Sequence, residues 1–277
     1  MNSQLNGQVI AVTGAARGIG YTIAAALKQN GARVAIADID KDTLEKAAAD
    51  LGADFAKPLD VTDAAAFRSF LEDVEAALGP LDGLVNNAGV MPTGPLLEQD
   101  DAITRRVIEI NTLGTMFGTK AALSKMTPRG RGHIVNVAST MGETPVPGLA
   151  AYNASKAASI MFSDAARLEF RTSGVRVSVV LPGAVKTELA TGIKGPKGIP
   201  PVAPEDVAQA VVRTFASGKS HPRVYVPRTF GVLLGTLRAT PRSIAEPLAR
   251  AMGSESAVLQ DSDLASRASY EARIRRS

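Results

Sequence analysis

Residues 152 to 156 read Y-N-A-S-K. On a helix, residues four apart share a face, with Cβ atoms about 5–6 Å from one another. The spacing therefore predicts a phenol and an ammonium group side by side, and the charge of Lys156 favours the phenolate form of Tyr152. Such a pair is suited to moving a proton. Other reactive side chains are scarce, with two histidines and no cysteine. His133 and His221 are far apart in the chain and neither sits in a cluster of ligating residues, so no metal site is expected.

A second stretch, T-G-A-A-R-G-I-G (13–20), points to an anion. Its glycine spacing is G-x-x-x-G-x-G rather than G-x-G-x-x-G. Gly14 allows a tight turn, Gly18 lets the backbone approach a pyrophosphate, and Gly20 lets a helix pack close to a strand. Ile19 falls at the start of that helix, whose free N–H groups and positive dipole end suit a phosphate. Asp38 follows 18 residues after Gly20. A carboxylate there accepts hydrogen bonds from ribose hydroxyls and repels a 2′-phosphate, so NAD is expected ahead of NADP. Arg17 argues the other way, since its guanidinium can pair with a 2′-phosphate.

These residues need a scaffold, and the apolar pattern supplies one. Strands are predicted at 8–13, 33–38, 55–59, 83–89, 133–139, 175–182 and 223–227. Helices are predicted up to residue 30 and over 41–51, 63–78, 103–126, 151–172 and 203–216. Continuously apolar strands alternating with helices argue for a parallel sheet covered on both faces. That is a doubly wound, Rossmann-type α/β domain, with its ligand at the carboxyl ends of the strands. Residues 188–201, with three glycines and three prolines, read as a loop.

Hydrophobic content of 45% and charged content of 21% fit a soluble globular protein. The lack of cysteine fits a reducing compartment. The first residues lack the basic and apolar regions of a secretory signal, and no apolar run approaches the length of a membrane span, so a cytoplasmic location is expected. Aromatic residues at 4% leave no base-stacking surface, which excludes nucleic acid as the expected partner.

The chain divides into a dinucleotide-binding and catalytic domain at 1–227 and a basic helical extension at 228–277. The extension holds 8 arginines against 5 acids, a balance of +3 out of +4 for the chain. Its apolar stretch F-G-V-L-L-G-T-L (230–237) precedes a helix capped by Thr240, with Pro241 at its first position. Ile244, Leu248 and Met252 form an apolar stripe on that helix, with Pro247 expected to kink or break it. Packing on the pocket or a second subunit is expected, rather than peripheral membrane contact.

Thr13–Gly20, Asn86-Asn87-Ala88-Gly89, Asn111, Ser139, Tyr152-x-x-x-Lys156 and Pro182-Gly183, in this order and spacing, resemble the short-chain dehydrogenases/reductases over about residues 5 to 227. The resemblance implies a nicotinamide cofactor, a seven-stranded parallel sheet, reversible alcohol–carbonyl interconversion and a homodimer or homotetramer. It implies that Asp60 and Val61 border the adenine. Asn87, Ala88 and Gly89 then lie along the cofactor, with Asn86 partly structural, and Pro182, Gly183, Val185 and Thr187 hold the nicotinamide end.

Tyr152 becomes the general acid/base. Free tyrosine titrates near pH 10, too high for a useful base, and Lys156 and the oxidised nicotinamide would both lower that value. Lys156 also binds the nicotinamide ribose, Ser139 hydrogen-bonds the substrate oxygen, and Asn111 holds a water linking Lys156 to solvent.

The expected pocket is apolar: Met91, Pro92, Met141, Pro145, Val146 and Leu149, with Glu143 as a lone charge turned to solvent. A small apolar secondary alcohol or ketone of steroid, terpenoid or long-chain type fits it. Two alternatives remain. An NADP-dependent acyl-carrier ketoreductase is opposed by Asp38 and favoured by Lys194 and Lys197. A non-catalytic dinucleotide-binding regulator would lack one or more of Ser139, Tyr152 and Lys156.

Overall fold

Seven short apolar segments each give one strand of a single parallel sheet: β1 (Val9–Thr13), β2 (Arg33–Asp38), β3 (Phe55–Pro58), β4 (Leu81–Asn86), β5 (Gly132–Val137), β6 (Val175–Pro182) and β7 (Val224–Val226). The computed structural model describes residues 5–192, 201–251 and 256–259, together with 267, 270–272 and 274. The strand order is β3-β2-β1-β4-β5-β6-β7. After β3 the chain crosses back to lay β4 on the other side of β1. Connections on the two sides of this reversal diverge, which leaves a crevice at the carboxyl ends of β1 and β4.

Alternate residues of each strand feed two apolar layers. Ile10 and Val12 of β1 pack with α1 (Gly18–Gln29) and with α7 (Pro204–Ala216), where Val207, Val211 and Phe215 are buried. Val9 and Ala11 face the other layer. There Phe67, Phe70, Leu71 and Val74 of α3 (Ala64–Leu78) are buried with Ala122 and Met126 of α5 (Gly114–Met126). A sheet covered on both faces needs apolar residues at every strand position, which is why these strands lack an in–out polar alternation.

The helix starts differ in a way that bears on the site. Asp40 caps α2 (Lys41–Leu51), accepting the Thr43 N–H at 3.2 Å, and Asp63 caps α3, accepting the N–H groups of Ala65 and Ala66. Such caps each contribute about 1 kcal/mol. Among the described residues, no side chain caps α1 at Arg17. The first-turn N–H groups of α1 thus stand open at the glycine turn, as an anion site requires.

Two expectations need correction. β4 and β5 end at Asn86 and Val137 rather than at 89 and 139. Asn87–Gly89 and Ser139 therefore lie beyond the strands, in the crevice. The single helix expected over 103–126 is instead α4 (Asp101–Ile108), a widened π-helical turn at Glu109–Leu113, and α5. Apolar periodicity cannot reveal one residue inserted into a helical turn. The insertion has partners: the Asn111 carbonyl accepts the hydroxyls of Thr115 and Ser159, each at 2.8 Å. π turns recur at functional sites.

Tyr152 and Lys156 lie on α6 (Ala150–Glu169). Beyond β7, the apolar stretch at 230–237 falls in α8 (Thr229–Ala239). It is followed by α9 (Arg242–Ala251) and α10 (Ser256–Leu259). α9 continues through Pro247 instead of ending there. Ile244 is exposed, while Met252 and the side chain of Leu248 fall outside the described residues. Among the described residues, no helix is long and apolar enough to cross a membrane.

Candidate active site

The crevice is one continuous cleft, lined at one end by the glycine turn and Asp38 and at the other by Ser139, Tyr152 and Lys156. Gly14 and Gly18 have φ of +63° and +55°, the left-handed region that glycine enters without strain. A Cβ on Gly14 would lie 2.7 Å from Ala88 Cα, and one on Gly20 would collide with the Gly14 carbonyl and the Asn87 amide. At Gly18 the nearest atom to such a Cβ is 3.8 Å away on Thr187. The first and third glycines thus serve close packing, while at the middle one a Cβ would only touch Thr187 at ordinary contact distance. Asn87 ties β4 to this turn by donating to the carbonyls of Thr13 (3.1 Å) and Gly14 (3.0 Å).

Asp38 accepts the Ala16 N–H at 3.0 Å and the Asp40 N–H at 3.2 Å, so its carboxylate braces the turn. Arg17 does not stand free for a 2′-phosphate. It forms a short ion pair with Asp40, donates to Thr43 Oγ1 at 3.1 Å, and lies 3.8 Å from Glu188. Burial raises the pKa of Asp40, but hydrogen bonds from Thr43 and then from Arg17 outweigh it and hold the group below the usual carboxylate range. Two carboxylates, Asp38 and Asp40, therefore line this end. Sequence reading missed Asp40, whose helix-cap position gives it an ordinary structural explanation.

Asp60 also lines the cleft, with Val61 beside it. Burial raises the pKa of Asp60, and bonds from Thr62 and Arg106 override that, so the group is lowered overall. Ile19, Asn87, Ala88, Gly89, Pro182, Gly183, Val185 and Thr187 complete the long wall. Gly20 lies behind it. Free first-turn N–H groups beside a glycine that leaves space, with a carboxylate farther along, fit a dinucleotide. The glycine turn and Asp38 would hold its adenosine and pyrophosphate. Gly183–Thr187 and Lys156 would hold the nicotinamide half.

At the other end, Tyr152 and Lys156 are buried, Lys156 to 5% exposure. The Lys156 ammonium donates to the Val137 carbonyl at 3.1 Å and lies 5.8 Å from the centre of the Tyr152 ring. Ser139 accepts the Met141 N–H at 3.1 Å and hydrogen-bonds the Tyr152 phenol. Contrary to the expectation that Lys156 depresses the tyrosine, burial dominates. It pushes Tyr152 up to about 12 against the opposing pull of Ser139, and it pushes Lys156 down to about 8. The desolvation of two ionisable groups outweighs what each does for the other.

The Asn111 side chain donates to Val90 O and Ser155 Oγ, each at 2.9 Å, and accepts the Val90 N–H at 2.8 Å. It joins the β4 exit to α6, one layer behind Gly89. Asn86 is structural, donating to Asn136 at 2.9 Å and Thr119 at 3.2 Å.

The apolar end gathers Met91, Met141, Leu149, Tyr152 and Leu189, with Val146 packed against them. Val146 does not line the cleft, and Pro145 is exposed on the outside of its loop. Glu143 does not face solvent, as its side chain is 1% exposed. It accepts Arg223 Nε at 2.7 Å and the Tyr225 hydroxyl at 2.9 Å, pinning the loop after Ser139 to the β7 strand. Sequence reading also missed Tyr270 and Ile274, which line the same end. With Arg267 and Glu271 they sit at i, i+3, i+4 and i+7, a helical face that was legible in R-A-S-Y-E-A-R-I.

A family model described as short chain dehydrogenase matches residues 8–197. The chain is similar to a 2-(S)-hydroxypropyl-CoM dehydrogenase of Xanthobacter autotrophicus, 37% identical over 231 residues, covering 76% of this chain and 91% of that protein. It is similar to a 2,3-dihydro-2,3-dihydroxybenzoate dehydrogenase of Bacillus subtilis, 32% identical over 223 residues, covering 79% and 84%. Its fold matches a crystal structure of levodione reductase with a TM-score of 0.74 at 23% identity, covering 80% of this chain and 96% of that one.

Proposed function

The chain belongs to the short-chain dehydrogenase family, and from that premise we propose that it interconverts an apolar secondary alcohol and its ketone with NAD. It is an oxidoreductase acting on CH–OH groups with a nicotinamide dinucleotide. The observation that carries this reading is the meeting of Ser139, Tyr152 and Lys156 in the cleft beside the apolar side chains of Met91, Met141, Leu189 and Ile274.

The dinucleotide, when bound, takes or gives the hydride. The chain's own part is the proton. Tyr152 Oη receives it from the alcohol hydroxyl, or returns it to the ketone oxygen. Ser139, already bonded to that phenol, orients the same oxygen and stabilises the charge that develops on it. Lys156 holds positive charge beside both. With the phenol pushed up to about 12 by burial, the proton stays on Tyr152 until a further cation lies near it.

The choice of NAD is supported by Asp38 and Asp40 at the adenosine end and by the commitment of Arg17 to Asp40. The apolar substrate class is supported by Met91, Met141, Leu189 and Ile274, and by the withdrawal of Glu143 into its own ion pair. The test is a turnover screen of cyclic, terpenoid and long-chain secondary alcohols with NAD⁺ and NADP⁺, following reduced nicotinamide. Turnover with NAD⁺ is expected. A preference for NADP⁺, or turnover of charged alcohols alone, would overturn the corresponding half of the proposal.

A further inference from the structure

Met91, the second residue into the exit from Gly89, has both backbone polar groups taken by the distant C-terminal segment. Its N–H donates to Tyr270 Oη at 2.8 Å, and its carbonyl accepts Arg267 Nη2 at 2.7 Å. Two residues on, the Thr93 N–H donates to Glu271 at 3.3 Å. Arg267 is fully buried and reaches a second segment as well, donating through Nη1 to the carbonyls of Leu189 (3.0 Å) and Thr191 (2.9 Å). Its Nε and Nη2 each lie 3.4 Å from the Glu271 carboxylate. Every N–H of the guanidinium thus has a partner within the protein, and its central carbon lies 5.1 Å from the centre of the Tyr270 ring. A buried arginine whose five donors are all satisfied is a structural clasp and has none to offer a ligand.

The clasp joins the backbone at Met91 to the backbone at Leu189 and Thr191, two segments that border the same end of the cleft. Met91 and Leu189 line the cleft beside Tyr152, and Tyr270 and Ile274 line it from the clasping segment itself. The segment is therefore a wall of the compartment, and its ring stands where the size of a bound alcohol is felt. We propose that Arg267 is a positioning residue that holds this wall closed, and that Tyr270 is a specificity-determining residue that limits how large an alcohol reaches Tyr152. The inference rests on the dehydrogenase reading for the meaning of the compartment, while the clasp itself stands on hydrogen-bond geometry.

The test uses the full chain carrying Arg267→Met, the conservative Arg267→Lys and Tyr270→Ala. Hydrogen–deuterium exchange at Met91 and Thr93 reads the clasp without reference to activity. Exchange at least tenfold faster in Arg267→Met is expected, with an intermediate rate in Arg267→Lys, and unchanged exchange would overturn the clasp. Steady-state kinetics with cyclohexanol and with a fused two-ring alcohol read the wall. Tyr270→Ala is expected to raise kcat/KM for the larger alcohol relative to the smaller at least tenfold, through KM, with NADH affinity by calorimetry within threefold of wild type. Faster exchange with an unchanged size profile would overturn the role of Tyr270. A wild-type chain that turns over no alcohol would sink the dehydrogenase reading, and the exchange arm would still decide the clasp. If Arg267→Met fails to fold, Arg267→Lys and Tyr270→Ala carry the same measurements.

Discussion

Lys156 keeps an ammonium group where almost no water reaches it, and burial holds its pKa at about 8 against 10.5 for the free side chain. The unfolded chain binds this proton more tightly than the folded one. Stability from this residue is therefore full above pH 10.5 and is lost as the pH falls toward about 8. Below that, the buried charge costs roughly 3–4 kcal/mol, taking about 1.4 kcal/mol per pKa unit. Lys156→Met, similar in length and uncharged, is expected to abolish turnover yet raise the unfolding free energy at pH 7 by that amount, with the gain shrinking above pH 8 and gone above about pH 10.5. Denaturant titrations at the two pH values check this, and a variant less stable than wild type at pH 7 would show the ammonium to be well solvated.

Asp38 carries the other residue-scale prediction. Asp38→Ala should cut the ratio of NAD to NADP efficiency at least tenfold, because it removes one of the two carboxylates lining that end of the cleft while Asp40 still occupies Arg17. An unchanged ratio would mean that Asp38 only braces the turn through Ala16 and Asp40.

Among the elements, α1 shows how much of the site was legible in the sequence. The glycine spacing announced a turn between a strand and a helix, and Gly14 and Gly20 have steric reasons to lack a side chain, while Gly18 has a positive φ. Gly20→Ala should destabilise by about 1–3 kcal/mol, because its methyl collides with backbone that packing holds in place. Gly235→Ala in α8, where a Cβ meets nothing within 4 Å, should stabilise by up to about 1 kcal/mol through helix propensity. Thermal unfolding of both variants compares a crowded glycine with an open one, and equal melting shifts would contradict the packing account. The π turn at Glu109–Leu113 was not legible, since the Asn111 carbonyl it frees is held by one near hydroxyl, Thr115, and one 48 residues away, Ser159. Nor was the burial of Glu143, whose partners Arg223 and Tyr225 lie about 80 residues away.

For the whole molecule, strand order does the work of assembly. The reversal between β1 and β4 brings the glycine turn, the Asn87–Gly89 exit, Ser139 and the β6 exit to one rim, although they are spread over some 170 residues. That rim was foreseeable because each piece follows a recognisable strand. Packing of the extension on the pocket was one of the two expected outcomes, but that residues 267–274 supply the wall was not foreseeable, since nothing local in them says which face of the domain they will cover. The assembly brings one proton-transferring group to the substrate oxygen, and replacing its hydroxyl tests the account most directly. In Tyr152→Phe, turnover of an alcohol used by the wild type should fall at least 100-fold, the scale of general acid–base catalysis, with NADH affinity by calorimetry within threefold. A variant that binds NADH normally and keeps a tenth of wild-type turnover would contradict the assignment of Tyr152 as the acid and base.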